Sequence, residues 1–194
     1  MIKAIIFDFF GVFTPDISFA WFQKYVSTAP HEIAKLQAIC DLSDHGELNK
    51  SSFYDALAAI SGIHKNNVIA GVEAEIHIDQ ELVAVVKVMR RNNIRIACLS
   101  NGSHEWALDI MKRYGLTTLF DHVILSADVH MAKPDREIYA YTLKQLNVSA
   151  HEAFFTDDRV KNTKAAERFG IKSHAFTTTE KFLQACRELD IPTR

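Results

Sequence analysis

The residues best placed to do chemistry stand at the ends of short apolar runs. Asp8 closes Lys3-Ala4-Ile5-Ile6-Phe7, Ser100 and Asn101 close Ile94-Arg95-Ile96-Ala97-Cys98-Leu99, and Asp157 and Asp158 close Ala153-Phe154-Phe155-Thr156. Lys133 follows His122-Val123-Ile124-Leu125, within Met131-Ala132-Lys133-Pro134. A lone Asp in such a place is ordinarily a helix cap. Gathered on one edge, the three carboxylates would repel by about 4 kcal/mol per close pair at an effective dielectric near 20. A divalent cation removes that penalty, and Mg²⁺ suits one or two carboxylates, waters and a substrate phosphate oxygen. Lys133 adds a second cation, while the Ser100 hydroxyl and the N–H groups of the glycine-containing loop can donate to an anion. A carboxylate nucleophile among these partners suits phosphoryl transfer through an aspartyl-phosphate.

Placing those groups together requires the apolar runs to be neighbouring strands. The β-branched and aromatic runs ending at Phe7, Leu99, Leu125 and Thr156, with Ile171 to Ala175 as a fifth, read as buried strands. Helical spacing separates them. Asp79 can cap a helix through Leu82, Val83, Val86 and Met89, and Ser103 one through Trp106, Leu108 and Met111, stopped by Gly115. Glu137 to Leu146 and Val160 to Phe169, the latter stopped by Gly170, give two more. The alternation predicts an α/β fold: a Rossmann-like parallel sheet flanked by helices.

Residues 15–78 break the rhythm. They read as helices alone, over Ile17 to Val26, His31 to Cys40, Ser52 to Ile60 and a short piece near Val68, with turns at Asp44-His45-Gly46 and Ser61-Gly62. The expectation is a core domain of residues 1–14 and 79–194 with a helical cap of residues 15–78. Inserted after the first strand, the cap would cover the carboxyl ends of the strands, where open α/β sheets bind ligands.

Composition excludes several other classes. The chain has 194 residues, 48% hydrophobic and 24% charged, which is ordinary globular usage rather than disorder or low complexity. A chain of this size can bury about 70% of its unfolded surface without disulfides or structural metals. Its net charge of -2 offers no basic excess for a nucleic-acid backbone or an anionic membrane. No apolar run approaches the roughly 18 residues needed to span a bilayer. Asp8 interrupts the apolar N-terminus before a signal peptide could form, and Cys40, Cys98 and Cys186 are odd in number and widely separated. Free thiols and a cytoplasmic protein are the expectation.

The motifs Phe7-Asp8-Phe9-Phe10-Gly11-Val12, Leu99-Ser100-Asn101-Gly102, Lys133-Pro134 and Phe155-Thr156-Asp157-Asp158 resemble, in order and spacing, the four motifs of the haloacid dehalogenase superfamily. The resemblance covers nearly the whole chain and extends to the insertion, where Gly46-Glu47-Leu48 followed by Phe53 is similar to a signature of that family's first type of helical cap. It is nearest to the branch of sugar phosphatases and epoxide-hydrolase N-terminal domains. The resemblance implies a Mg²⁺-dependent phosphatase of a small phosphorylated metabolite. Asp8 would then be nucleophile and metal ligand, and Ser100 would hold the phosphate with the backbone amides of Asn101 and Gly102. Lys133 would neutralise charge, Asp158 would be the main metal ligand, and Asp157 a second ligand or a support. The Phe10 carbonyl would also face the metal.

One position departs from the family. Its phosphatases carry a second Asp two residues after the nucleophile, as general acid and base, and here that residue is Phe10. Losing such a group removes about 10²–10⁴ in rate. Either another residue replaces it (His45, Asp44 and Asp16 are the candidates), or turnover is slow and restricted to good leaving groups, or the chain binds without catalysing. An aromatic at Phe10 also resembles the dehalogenases themselves, which need no metal, but Asp157 and Asp158 would oppose a carboxylate substrate unless a cation were bound.

The remaining polar residues have plainer readings. None of the nine histidines has a partner at metal-ligand spacing, and His104 and His122 suit surface or capping roles. Phe19, Trp21, Phe22 and Tyr25 read as the packed face of the first cap helix. Lys87, Arg90 and Arg91 suit a helix C-terminus. Arg159 and Lys161 read as solvated or paired with the neighbouring carboxylates, with Arg159 a possible guard of the site entrance.

Overall fold

A computed structural model describes residues 1–102 and 104–193, with the side chain of His104 also outside the description. The cap expected at Ser103 and the role expected of His104 therefore lie outside the described residues. Five parallel strands form one sheet in the order β3-β2-β1-β4-β5: β1 (Ala4–Phe7), β2 (Arg95–Ser100), β3 (His122–Leu125), β4 (Ala153–Asp157) and β5 (Lys172–Ala175). The first strand is thus central. Phe7 pairs with Cys98 on one side and Thr156 on the other, so β2 and β4 run on past the end of β1 by two residues and one.

Alternation along β1 assigns its residues to two cores. Ile5 and Phe7 pack on one face with Ile96, Cys98 and Phe154, and Ala4 and Ile6 on the other with Ala97, Leu99 and Phe155. Helices α8 (Arg136–Leu146) and α9 (Val160–Phe169) cover the second face through Ile138, Tyr139, Leu143, Ala165 and Ala166. The first face is covered by α5 (Gln80–Arg91), α6 (His104–Arg113) and α10 (Thr179–Glu188). Asp79 accepts from the Leu82 N–H at 2.9 Å, capping α5 as expected, and also accepts from the Thr179 hydroxyl at 2.6 Å, which ties α5 to α10. Burial on both faces is what lets β1, β2 and β4 be so largely apolar, whereas β5, expected to be buried, is an edge strand with Lys172 exposed and its other residues part-buried.

Between β1 and α5 the chain forms four helices: α1 (Ile17–Tyr25), α2 (Pro30–Asp44), α3 (Lys50–Ser61) and α4 (Lys65–Ala74). Their apolar faces continue the first core instead of closing a separate one, since Trp21, Phe22, Leu36, Phe53 and Val72 belong to the same buried cluster as Phe7 and Val86. Five further features differ from the sequence expectation. The piece near Val68 is a full helix, and α2 runs on to Asp44 because only at His45 and Gly46 does the backbone turn, Gly46 at φ 79°. Tyr25 is half exposed beneath the Lys24 ammonium instead of packed. A short helix α7 (Ser126–Val129) follows β3, and α10 follows β5 on the strength of Phe182 and Cys186, four residues apart. Among the described residues no helix is long and apolar enough to cross a membrane.

The inserted helices are packed tightly at one point. A Cβ at Gly71 of α4 would fall 2.3 Å from Nε1 and 2.7 Å from Cδ1 of buried Trp21. Gly71→Ala should therefore destabilise by about 1–3 kcal/mol through overpacking, despite the roughly 1 kcal/mol that Ala contributes to helix propensity. The expected result in thermal unfolding is a Tm lower by a few degrees, and an unchanged or raised Tm would show that Trp21 moves freely.

Candidate active site

The strand ends converge as their register dictates. Asp8 leaves β1 with Oδ1 accepting from its neighbour's N–H (Phe9, 2.7 Å) and Oδ2 facing the Lys133 ammonium at 2.8 Å. The same ammonium donates to Asp157 Oδ2 at 2.7 Å, so one buried lysine, 3% exposed, bridges two carboxylates. Lys133 is fixed from behind by Asn101, whose side chain accepts from the Lys133 N–H at 2.8 Å and donates to its carbonyl at 2.9 Å. Asp157 is saturated: it also accepts from the Arg159 N–H at 2.8 Å and from Asn162 Nδ2 at 3.0 Å to each oxygen.

Asp158 is different. Its Oδ1 is buried without a hydrogen-bond partner. It lies against Gly11, where a Cβ would meet the Asp158 carboxyl at 2.4–2.7 Å and where φ is 81°, so the loop after Asp8 can pass only as glycine. Oxygens of Asp8, Asp157 and Asp158 all lie within 4.8 Å of one another. Three clustered carboxylates, two of them on the Lys133 ammonium and the third with an orphaned oxygen, form a donor set suited to a hard divalent cation.

The electrostatics follow from this crowding. Burial drives the Asp8 carboxyl well above its ordinary range, Lys133 opposes that, and Asp157 and Asp158 add to it. Burial would do the same to Asp157, but the charge and hydrogen bond of Lys133 hold it below the usual value. Asp158 is pushed up to about 6 by burial and by Asp157. Lys133 loses by burial and gains more from Asp157 and Asp8, so it stays firmly protonated.

A cavity partly open to solvent lies over this edge. From the sheet side Asp8, Phe10, Asn101, Gly102, Lys133, Arg159 and Asn162 line it. From the inserted helices come Asp16, Ile17, Ser18, Cys40, Ser43, Asp44 and Phe53, with Trp106 of α6 beside them. Ser100 is buried at the end of β2, outside this lining, and among the described residues its hydroxyl reaches only the Asn101 carbonyl at 3.5 Å. The Gly102 N–H also faces protein, donating to Ser126 Oγ at 3.0 Å.

Other polar residues fall into place around the cavity. Arg159 pairs with Asp16 at 2.8 Å and lies over the Phe19 ring, rather than pairing with the carboxylates beside it in sequence. His45 is exposed, its Nδ1 turned to the Asp41 carbonyl, and does not line the cavity. Cys98 and Cys186 are buried free thiols, and Cys40 is a half-buried free thiol on the cavity wall. Sequence reading missed Asn162, Ser126 and Ser43. Asn162 had a signal, since an Asn in the first turn of a helix that follows two carboxylates is placed to donate back to them.

Comparison with known proteins agrees with the geometry. The model of a hydrolase family, haloacid dehalogenase-like hydrolase, matches residues 2–170. The chain is 24% identical over 195 residues to the putative phosphatase YhcW of Bacillus subtilis, covering 89% of this chain and 82% of that one. It is 24% identical over 149 residues to the sesquiterpene phosphatase astK of Aspergillus oryzae, covering 75% and 74%. Among solved structures, a HAD family enzyme of Bacteroides thetaiotaomicron in complex with magnesium and inorganic phosphate has the same fold, with a TM-score of 0.70, 22% identity, and 94% and 99% of the two chains covered. A sheet of this order and a family match across most of its length lead to one assignment: this chain is a member of the haloacid dehalogenase-like hydrolases.

Proposed function

We propose that this chain is a Mg²⁺-dependent phosphatase of small phosphorylated metabolites, acting through a phosphoryl group carried on Asp8. The observation that carries the reading is the Asp8 carboxylate at the end of the central strand, held by Lys133 at 2.8 Å and clustered with Asp158, whose buried Oδ1 has no partner. The relatives named as phosphatases, and the neighbour crystallised with magnesium and phosphate, support the same chemistry.

Asp8, Asp158 and the Phe10 carbonyl would hold the metal, with Asp157 kept as a support because its lone pairs already accept from Lys133, Arg159 and Asn162. Magnesium held there would supply positive charge to offset that of the phosphoryl group. An Asp8 oxygen attacks phosphorus while the bond to the ester oxygen breaks, and Lys133 offsets charge on the nucleophile and the phosphoryl group. Water then attacks the phosphoryl group, releases inorganic phosphate and regenerates Asp8. Asn101 lines the cavity beside Lys133 and contacts the bound phosphate, whereas the Gly102 N–H is held by Ser126, and Ser100 supports the loop from the end of β2. The inserted helices act as the cap, and Phe10, Phe53, Trp106 and Ile17 make a compact, partly apolar space for the rest of the substrate.

The test is hydrolysis of 4-nitrophenyl phosphate with and without Mg²⁺. Asp8→Asn should lower turnover by about 10⁴-fold or more, and chelation should abolish activity that added Mg²⁺ restores. Full activity in the presence of chelator would overturn the metal role, and halide release from a 2-haloacid under those conditions would establish a dehalogenase instead. Asp158→Asn should raise the Mg²⁺ concentration for half-maximal activity by about tenfold or more, in line with losses seen when a metal site is weakened. An unchanged Mg²⁺ requirement would assign the metal to Asp157.

A further inference from the structure

An alkyl phosphate ester departs as a strongly basic alkoxide, so its oxygen needs a proton as the bond to phosphorus breaks. Phe10 has none to give. Among the described residues lining the cavity, the titratable side chains are Asp8, Asp16, Cys40, Asp44, Lys133 and Arg159. Lys133 is committed to Asp8 and Asp157, and Arg159 to Asp16. Burial drives the Cys40 thiol well up, which makes it a poor donor. Asp44 remains. It is the last residue of α2, and its carboxyl has no hydrogen bond or ion pair among the described residues. Its backbone is nonetheless anchored: Ser126 Oγ donates to the Asp44 carbonyl and accepts from the Gly102 N–H at 3.0 Å, tying the end of α2 to the loop after β2.

We propose that Asp44 is the general acid for the leaving group, delivered from the inserted helices, with Ser126 as its positioning residue. The inference rests on the phosphatase reading above. The Asp44 O–H gives its proton to the ester oxygen as the P–O bond breaks and that oxygen keeps the bonding pair. The resulting carboxylate then takes a proton from the water that attacks the Asp8 phosphoryl group, giving inorganic phosphate and restoring the acid. Proton and electron counts close over the cycle. The surroundings suit this role: burial pushes Asp44 up to about 6, Arg159 and Lys133 pull it down, and Asp16 and its helix neighbour Asp41 push it up.

The sign of the pH effect follows. The first step needs Asp44 protonated, so kcat for a poor leaving group falls as pH rises through about 6, whereas 4-nitrophenolate leaves without a proton. The experiment measures kcat for ethyl phosphate and for 4-nitrophenyl phosphate with Mg²⁺ from pH 5 to 8, on the natural chain, Asp44→Asn and the neighbouring control His45→Gln. Asp44→Asn should lower ethyl phosphate turnover by about 10²–10⁴-fold, lower 4-nitrophenyl phosphate turnover far less, and remove the descending limb. His45→Gln should change neither substrate. Asp44→Asn should keep its Tm at pH 8, because it removes a charge that burial disfavours. Equal losses on both substrates, or a limb that survives in Asp44→Asn, would overturn the assignment. A natural chain that hydrolyses only the aryl ester would overturn it while leaving the phosphatase reading standing, and one that hydrolyses neither would remove both.

Discussion

The Lys133 ammonium is the interaction on which the site depends. It is buried between Asp8 and Asp157 at 2.8 and 2.7 Å, and burial alone would strip a lysine of its charge. The two carboxylates reverse that preference, and the lysine in turn permits Asp157 to remain ionised at zero exposure. A pair of this kind adds little net stability over apolar groups, but removing one partner alone costs about 3–5 kcal/mol because it strands the other. The arrangement is therefore held for its geometry. Asn101 fixes the lysine backbone and Asn162 fixes Asp157, so neither end of the bridge can drift.

Position in the sheet explains why these groups meet. Because β1 is central, Asp8 has a strand end on each side, and the parallel register brings Asp157 level with it and Ser100 one residue beyond. Lys133 arrives by a longer route, through α7 and the loop beyond β3, which is why it needs the side chain of Asn101 to hold it. The inserted helices then close the space above. Their apolar faces continue the sheet's first core, so the cavity has one wall of strand ends and one of helix.

Much of this was legible in the sequence because it rests on local pattern. Strand ends are marked by a change from apolar to polar, and the α9 helix falls where Val160 and Gly170 place it. The Asp79 cap is likewise a short-range signal. Pairings between distant segments were less visible. Arg159 sits beside two carboxylates in sequence yet pairs with Asp16, 143 residues away, because those carboxylates point inward to Lys133, Asn162 and Gly11. Ser126 carries no motif, and its role depends on the end of α2 and the loop after β2 approaching it from opposite sides. The extent of α2 was underestimated for a related reason. Its last turn, Asp41 to Asp44, has little helical pattern of its own, and buried Ser43 on the cavity wall is what packing requires there.

The two outer strands have a bearing on how the molecule behaves in a crowded solution. Both β3 and β5 are four residues long, and β5 carries Lys172 exposed and His174 part-buried along the sheet margin. An open sheet always leaves unpaired N–H and C=O groups at its two borders, and long apolar borders invite a second molecule to add a strand. Here the borders are short, and one bears a charge that a neighbouring strand would have to desolvate. The central strands can thus be largely apolar without offering a template for self-association.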